Sequence, residues 1–394
     1  MTYDPKIAAQ KERNAEVFRE TLRICRDGGY AASMGKRIVL PPMADVLSTT
    51  VFHETIVNAN HSPNVAKASV NILNDDCIDV AADLVRQGFN PVMLNMASRR
   101  CPGGGVLNGA RAQEETLFRR SNLCVSLYQF DEYRANLLGI LPNKKRYPMS
   151  CETAGIYSGR VTFFRKGNRD DYAFMDKPFE CAVISAAAIS HPELTSDGRL
   201  VDWAAQATAE KIRNILRIGL AHGHDAIVLG AWGCGAFRNP PGHIAELFKA
   251  VISEIEFARK YHLISFAIIE DHNSHNANYG AFSEVFDESN GDLHGRNANS
   301  ANAEMTKLLE NNEIIDHAEA IRKIVAKKCA RCRGDANGCM GCLFDSLDRE
   351  MIPAMIDKLL SSMAMLPNAR EAVVAQGKER SKKREETWRE IESN

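Results

Sequence analysis

The feature that most constrains the fold is an alternation of short apolar segments with longer amphipathic ones, which begins near residue 68. Apolar runs of four to seven residues predict strands, and most are followed by a segment with helical spacing. The predicted strands are 69–73, 91–95, 181–187, 226–229 and 263–269. The predicted helices are 77–87, 114–128, 203–221 and 244–259. Strands and helices that alternate at this spacing predict an α/β fold, with helices on both faces of a mostly parallel sheet.

Segments outside this alternation predict further parts of the chain. Residues 5 to about 27 have helical periodicity, two short strands are predicted at 37–40 and 54–57, and we assign residues 1–50 to an N-terminal helical extension. The α/β domain then occupies residues 51–286. Residues 287–303 are polar and rich in Asn, Gly and Ser, which is typical of a linker. Residues 304–394 are predicted to form a helical C-terminal module.

Composition and charge exclude several classes of protein. The 394 residues include 49 Lys+Arg and 50 Asp+Glu, so the net charge of −1 argues against binding nucleic acid by bulk electrostatics. We therefore expect no direct sequence-specific nucleic-acid binding. No apolar run approaches the ~18 residues of a membrane helix, and the N-terminus lacks the apolar core of a signal peptide. Most of the 11 cysteines stand singly in apolar contexts, which indicates reduced thiols and an intracellular location, cytoplasmic or nuclear.

The strongest local motif is a glycine-rich loop that leads into an acidic helix start. The run NMASRRCPGGG at 95–105 is followed, seven residues later, by QEE at 113–115. Three consecutive glycines permit positive φ angles and let a ligand touch the backbone. Their N–H groups can form an anion-binding concavity in front of the helix N-terminus. Acidic residues also favour the first turn of any helix, so this motif alone favours a structural explanation.

A second glycine-rich loop makes a functional explanation of the first motif more favourable than a purely structural one. The run GAWGCGAFRNP at 230–240 follows an apolar strand and precedes a helix, which is where open α/β sheets bind ligands. Gly233 and Gly235 would let consecutive amides face a diphosphate, and Phe237 would offer an apolar face to a sugar. The alternative is a tight turn with Phe237 in the core. Two such loops on one sheet, one with paired carboxylates, predict a nucleotide diphosphate with chemistry at one end.

A family resemblance rests on these same motifs. The run NMASRRCPGGGVLNGARAQEETLFRRSNL at 95–123 resembles the signature of bacterial- and fungal-type poly(ADP-ribose) glycohydrolases, which are catalytic macrodomains. The blocks GIYSGRV at 155–161 and VISAA at 183–187 are similar to family blocks as well. The resemblance implies a macrodomain-like three-layer α/β/α sandwich around a mixed, mostly parallel sheet. It implies an enzyme that hydrolyses ribose–ribose bonds of poly(ADP-ribose) to release ADP-ribose, with ADP-ribosylated proteins as partners.

The resemblance also implies roles for individual residues. Glu115 matches the catalytic acid/base, and Glu114 matches the neighbour that holds ribose hydroxyls. Asn95 looks like the ribose-binding asparagine, and Asp76 resembles the aspartate that meets adenine, although helix capping also explains Asp76. The other substrate-binding residues implied by the two loops are Gly103, Gly104, Gly105, Gln113, Gly233, Cys234, Gly235, Ala236 and Phe237.

The chemistry implied for this site needs no metal or redox cofactor. Protonated Glu115 would donate to the leaving ribose hydroxyl and then, as a carboxylate, activate a water molecule. Glu114 beside it in a partly dry cleft is expected to raise the apparent pKa values of the pair. A hydrolase of single ADP-ribose units is an alternative enzyme, and an ADP-ribose reader is the alternative outside catalysis. The presence of both glutamates argues against a pure reader.

Four cysteines near the C-terminus form a separate motif. Cys329, Cys332, Cys339 and Cys342 make two CxxC pairs that six residues separate. This spacing predicts a structural zinc site, and the alternatives are an iron–sulfur cluster or plain reduced cysteines.

Two other groups of residues near the glycine-rich loops invite a functional interpretation. The arginine pairs 99–100 and 119–120 could meet substrate phosphates, but we predict solvent-exposed surface for both. Trp203 and Trp232 are predicted to be core residues rather than stacking platforms.

Overall fold

The computed structural model describes residues 5–58, 68–269 and 277–287. The chain divides into two units, Met1–His294 and Gly295–Asn394, and all described residues belong to the first. The predicted linker from residue 288 onward and the C-terminal module at 304–394 lie outside the described residues. So does the zinc-site hypothesis at Cys329, Cys332, Cys339 and Cys342.

Helices and strands alternate through most of the described residues. The α-helices are α1 Pro5–Asp27, α2 Met43–Ser48, α3 Cys77–Arg86, α4 Gln113–Arg120, α5 Leu123–Tyr128, α6 Glu132–Leu138, α7 Asp202–Ala221, α8 Pro241–Ile252 and α9 Ala277–Phe286. The strands are β1 Gly29–Ala31, β2 Arg37–Val39, β3 Thr50–His53, β4 Ser69–Leu73, β5 Pro91–Met96, β6 Gly155–Arg165, β7 Phe174–Ala186, β8 Ala226–Leu229 and β9 Leu263–Ala267. Among these helices none has the length and apolarity needed to cross a membrane.

Seven of the strands form one mixed sheet in the order β3-β6-β7-β5-β8-β9-β4. The pairs from β7 to β4 are parallel, whereas β3 with β6 and β6 with β7 are antiparallel. The strands β1 and β2 form a separate two-stranded sheet. Because β4, β9, β8, β5 and β7 all run in the same direction, their carboxyl ends meet at one edge, from which both glycine-rich loops emerge.

Each face of this sheet carries its own hydrophobic core. On one face, apolar residues of β5 and β7 pack against α1, α3, α4, α5 and α6, with Phe18, Phe118 and Tyr128 fully buried. On the other face the same strands pack against α7, α8 and α9, with Phe248 and Phe282 fully buried. Buried aromatic rings contribute a large share of the apolar area removed from water. The predicted three-layer α/β/α sandwich around a mostly parallel sheet is therefore confirmed.

The helix predicted over 114–128 is wrong in one respect, because the chain interrupts it at Ser121 and Asn122. Ser121 is extended (φ −147°, ψ 175°) and forms an isolated antiparallel bridge with Phe163 of β6. Asn122 forms hydrogen bonds with both backbone groups of Thr162. Its N–H donates to the Thr162 carbonyl (3.2 Å), and its Oδ1 accepts from the Thr162 N–H (2.8 Å). Because Ser121 and Asn122 pair with β6, the helix α4 ends at Arg120, and a new helix, α5, begins at Leu123.

Smaller differences concern strand and helix limits. The strand predicted at 54–57 is wrong: the strand in this region is β3, four residues earlier, where it pairs with β6. The helix predicted over 244–259 ends at Ile252. The long strand β6 is buried on both faces over most of its length, so it lacks the alternating pattern that would have marked it in the sequence.

Candidate active site

The helix α4 begins directly against the end of β5, and the side chain of Gln113 fixes this contact. Its Oε1 accepts from the Met96 N–H (2.9 Å), and its Nε2 donates to the Leu94 carbonyl (2.8 Å). The side-chain amide thus substitutes for a neighbouring strand along two residues of β5. Gln113 was predicted to bind substrate; in the structure its polar atoms hold the helix start in place, and contact with substrate stays a prediction.

Glu114 lies behind the glycine-rich loop and is only 3% exposed. Its Oε2 accepts from the Ser98 N–H (2.7 Å). Its Oε1 accepts from the Gly103 N–H (3.0 Å), with the Asn95 amide at 3.5 Å. Two backbone donors from the loop after β5 therefore fix the orientation of this carboxyl group.

Glu115 is the second carboxyl at this helix start and is 7% exposed. Its Oε1 accepts from the Gly105 N–H (2.9 Å), and its Oε2 accepts from the Ala112 N–H (2.9 Å), the residue that precedes α4. A Cβ atom added at Gly104 would lie 2.6 Å from Glu115 Oε1 and 3.1 Å from Glu114 Oε2. Both carboxyl groups thus lie against the same glycine.

The three consecutive glycines do not form the anion-binding concavity that the sequence predicted. Gly103 and Gly105 donate their N–H groups to the two glutamates, and the Gly104 N–H donates to the Cys101 carbonyl (3.2 Å). All three amides are therefore used within the protein, and they orient the carboxylates. Gly103 and Gly104 have positive φ angles of 77° and 49°, the reason that glycine is required there.

Burial raises the pKa of the Glu114 carboxyl to about 8. The loss of hydration is the largest cause, and the neighbouring charge of Glu115 acts in the same direction, while the N–H donors of Ser98 and Gly103 oppose it. The direction agrees with the predicted effect of a carboxylate pair in a partly dry cleft. Near neutral pH Glu114 therefore holds a proton that an exposed glutamate would have released.

This shift predicts a pH dependence of stability. Between the ordinary glutamate pKa of 4.5 and the folded value of about 8, the unfolded chain is ionised at Glu114 while the folded chain keeps the proton. The contribution of this group is complete below the lower value and is lost as the pH rises toward the upper one. We expect the unfolding free energy of Glu114→Gln, relative to wild type, to increase between about pH 5 and pH 8. Denaturant titrations at several pH values measure this difference.

The exposed residue Glu132 provides the control for that experiment. Glu132→Gln removes a carboxylate without changing the buried pair, so it serves as the reference variant in the same denaturant titrations. Parallel stability curves for Glu114→Gln and wild type would show that Glu114 is ionised in the folded protein.

Asn95 lies at the carboxyl end of β5 and is fully buried behind Glu114. Its Nδ2 donates to the Ser185 hydroxyl of β7 (3.0 Å). Its Oδ1 is buried and has no hydrogen-bond partner among the residues the structure describes. A buried acceptor without a partner is costly, and a ribose hydroxyl is one donor that could satisfy it. The predicted contact of Asn95 with ribose stays a prediction.

The second glycine-rich loop is held in shape by Asn239, which sequence reasoning did not single out. Its Nδ2 donates to the carbonyls of Ile189 (2.8 Å) and Gly233 (3.0 Å). Gly233 has a φ of 80°, and an added Cβ there would lie 2.7 Å from Asn239 Nδ2. An asparagine just before the prolines that start a helix was the available signal, since Asn side chains commonly bond nearby backbone in turns.

The tip of this loop offers free backbone donors. Gly235 and Ala236 are exposed, and the N–H groups of Gly235, Ala236 and Phe237 meet no acceptor within the described ranges. The Phe237 ring packs partly on the core, and its carbonyl accepts from the His191 N–H (2.8 Å). Cys234 is partly buried, and its N–H turns back to the Ala231 carbonyl. These three unpaired amides, which we call the amide nest, are available to bind an anion, and the predicted contact with a diphosphate stays a prediction.

Asp76 occupies the N-cap of α3, the alternative that the sequence left open for it. Its Oδ1 accepts from the Ile78 N–H (2.8 Å), and its Oδ2 forms an ion pair with the buried Arg120 (2.7 Å). Both carboxylate oxygens thus have partners within the protein. Contact with adenine stays a prediction for Asp76, whereas its structural role is direct.

The Asp76→Ala variant is expected to be destabilised by about 2–4 kcal/mol, because it removes a helix cap and leaves the more exposed Asp79 as the one acidic partner of Arg120 among the described residues. Asp76→Asn keeps a good N-cap and loses only the charge, so its cost should be smaller. Chemical denaturation of both variants measures the two costs. Equal stabilities for wild type and Asp76→Ala would contradict this structural role.

The arginine pairs differ from each other in their surroundings. Arg119 and Arg120 are 0% and 1% exposed, so the predicted surface location is wrong for them. Arg119 donates to the Ala110 carbonyl and the Tyr172 hydroxyl. Arg99 and Arg100 are exposed at the rim of the first glycine-rich loop, as predicted.

Comparison with known proteins relates this geometry to a family. Residues 18–166 match the profile described as "Microbial-type PARG, catalytic domain". No curated protein sequence matches the chain. The poly(ADP-ribose) glycohydrolase of Thermomonospora curvata is 25% identical, with a TM-score of 0.57 over 70% of this chain and 100% of that one. The same enzyme bound to the inhibitor ADP-HPD is 24% identical, with a TM-score of 0.56 over the same shares.

A more distant match is the poly(ADP-ribose) glycohydrolase of Deinococcus radiodurans in complex with ADP-ribose. It is 23% identical, with a TM-score of 0.49 over 64% of this chain and 99% of that one. The resemblance that the sequence indicated is thus confirmed: residues 18–166 match the model of the microbial-type PARG catalytic domain, and the fold is similar to that of the Thermomonospora curvata enzyme.

Proposed function

We propose that this chain is a poly(ADP-ribose) glycohydrolase, which hydrolyses ribose–ribose glycosidic bonds of poly(ADP-ribose) and releases ADP-ribose. The observation that carries the proposal is the pair of buried carboxyl groups, Glu114 and Glu115, that loop amides fix on either side of Gly104. The amide nest at 235–237 follows the adjacent strand β8 and supports a diphosphate next to this pair.

The two carboxyl groups have separate tasks in the proposed chemistry. Burial raises the pKa of Glu114 in the free protein, and ribose hydroxyls that donate to Glu114 favour its ionised form. Glu115 in its protonated form donates a proton to the leaving ribose oxygen as the glycosidic bond breaks. The resulting carboxylate then takes a proton from the water that attacks the anomeric carbon.

Positive charge develops on the reacting ribose during this step, and the bound diphosphate stabilises it electrostatically. The acid, the base and this stabilisation all come from the chain and the substrate, so the proposed mechanism needs no metal or redox cofactor. The partners are poly(ADP-ribose), ADP-ribose and ADP-ribosylated proteins. We place the enzyme inside the cell, in the cytoplasm or nucleus, since the cysteines of the described residues are all free, including Cys25 and Cys124 with sulfurs 3.8 Å apart.

The test is release of ADP-ribose by the full chain from poly(ADP-ribose) of defined length, with a mono-ADP-ribosylated protein in parallel. Turnover of the polymer supports the proposal. Release from the mono-modified protein alone would favour the hydrolase of single ADP-ribose units. Binding of either substrate without turnover would contradict an enzyme and leave a reader.

A further inference from the structure

Four exposed cations lie on two neighbouring segments next to the candidate active site. Arg99 and Arg100 follow β5 in the first glycine-rich loop, and Lys144 and Arg146 lie in the segment between α6 and β6. We call these four side chains the basic rim. None of them forms an ion pair within the part of the chain that the structure describes. Lys145, between two of them, is by contrast paired with Glu54 (3.1 Å).

The two halves of the basic rim are joined by backbone hydrogen bonds. The Met149 N–H donates to the Arg99 carbonyl (3.0 Å), so the segment ahead of β6 lies directly against the loop after β5. This segment is itself anchored, because the Tyr147 N–H donates to the Phe130 carbonyl (3.0 Å). The exposed side chains of the basic rim therefore stand on fixed backbone.

The basic rim is also coupled directly to the catalytic pair. The Ser98 N–H, one residue before Arg99, donates to Glu114 Oε2 (2.7 Å), and the Arg100 N–H donates back to the Ser98 hydroxyl (3.2 Å). Arg99 and Arg100 thus lie within two residues of Ser98, whose N–H group holds the Glu114 carboxyl in place.

The order of the sheet places the basic rim beyond the reacting ribose. The diphosphate nest follows β8, the carboxyl pair stands at the end of β5, and the next strand in the same direction is β7, followed by β6. The Ala97 N–H donates to the Ala186 carbonyl at the end of β7 (3.1 Å), and the Met149 N–H donates to the Arg99 carbonyl, so the loop after β5 is bonded to β7 and to the segment ahead of β6. A ligand whose diphosphate lies at β8 and whose ribose lies at β5 would extend its leaving group over the basic rim.

We propose that the basic rim binds the diphosphate of the neighbouring ADP-ribose unit in the polymer, on the leaving-group side of the scissile bond. This inference rests on the proposed function and adds a substrate preference to it. Each polymer unit carries a diphosphate, and unpaired exposed guanidinium and ammonium groups attract such groups at low salt. A single bound ADP-ribose has no diphosphate on this side, so the basic rim favours the polymer over the monomer.

The experiment compares binding of poly(ADP-ribose) and of ADP-ribose to the full chain in a Glu115→Gln background, which prevents turnover. Arg99→Gln/Arg146→Gln removes one cation from each half of the basic rim. We expect polymer affinity to fall about tenfold, with a weaker dependence on salt, and ADP-ribose affinity to stay at its starting value. In the active protein the same double variant should raise the KM for polymer with little change in kcat.

Lys36→Gln/Lys177→Gln is the matched control, since Lys177 lies near the beginning of β7, Lys36 follows a segment bonded to Asp176 there, and both cations are exposed. It should bind polymer as the parent protein does. Unchanged polymer affinity in the Arg99→Gln/Arg146→Gln variant would overturn the proposal, as would an equal loss for ADP-ribose. These binding measurements do not depend on catalysis, so a wild type without turnover would refute the proposed function while still deciding on the basic rim.

Discussion

The Glu115→Gln variant is expected to release ADP-ribose from poly(ADP-ribose) about 1000-fold more slowly than wild type. Glutamine has nearly the same shape, but it can neither donate the proton to the leaving ribose nor accept one from the attacking water. Because the rest of the pocket is unchanged, ADP-ribose should bind with wild-type affinity. Initial rates on polymer and equilibrium binding of ADP-ribose measure the two quantities separately.

The same variant has a predictable effect on stability. Glu115 accepts N–H groups from Gly105 and Ala112 with its two oxygens, and a glutamine amide can accept only one of them. The unsatisfied donor should cost about 1–3 kcal/mol of unfolding free energy. Glu132→Gln, an exposed change of the same kind, should keep full activity and stability. A Glu115→Gln protein that is folded, binds ADP-ribose and still cleaves polymer at a rate near wild type would contradict the assigned role.

The layered α/β architecture could be predicted from the sequence because the strands at the sheet centre carry a strong local signal. Segments 91–95 and 226–229 are short and mostly apolar, and they coincide with the adjacent strands β5 and β8. The helix break at Ser121 carries no such signal, since Ser and Asn occur in helices and turns alike. It results from pairing with β6, about forty residues further along the chain.

At the candidate active site, the positions of the residues could be predicted from the sequence more readily than their roles. The sequence placed Gln113, Glu114 and the three glycines at one helix start, and the structure brings them together. It could not show that the glycine amides donate to the glutamates, because that depends on how the loop turns back over α4. Gln113 illustrates the same limit, since an amide is equally suited to a ligand and to a strand backbone.

Burial of charged residues was the property hardest to infer. Arginine side chains are usually exposed, yet Arg120 is buried. Asp76 and Asp79 form ion pairs with it, and the Arg165 carbonyl accepts a hydrogen bond from it. These partners lie on two separate elements, the start of α3 and the end of β6, which no local pattern connects. Trp203 differs from its prediction in the opposite direction: predicted as core, it is 47% exposed, whereas Trp232 is buried as predicted.

Gly104→Ala is expected to reduce kcat on poly(ADP-ribose) by about 100-fold, although no reacting group is changed. The added methyl group would stand 2.6 Å from Glu115 Oε1, far inside van der Waals contact. The carboxyl of Glu115 must therefore move and weaken its hydrogen bond from Gly105. Since Glu114 Oε2 lies 3.1 Å from the same position, the second carboxyl has little room to compensate.

Backbone strain and displacement of the carboxyl groups can be separated by a matched glycine. Gly88 has a φ of 90° and nothing within 4 Å of an added Cβ, so Gly88→Ala imposes positive-φ strain of about 1–2 kcal/mol without moving any neighbour. We expect Gly88→Ala to lose stability and keep wild-type kcat, whereas Gly104→Ala should lose both. Full activity in folded Gly104→Ala would mean that cleavage tolerates a displaced carboxyl pair. Glycine at position 104 would then be needed only for its backbone conformation. The fixed positions of Glu114 and Glu115 would no longer explain the rate of cleavage.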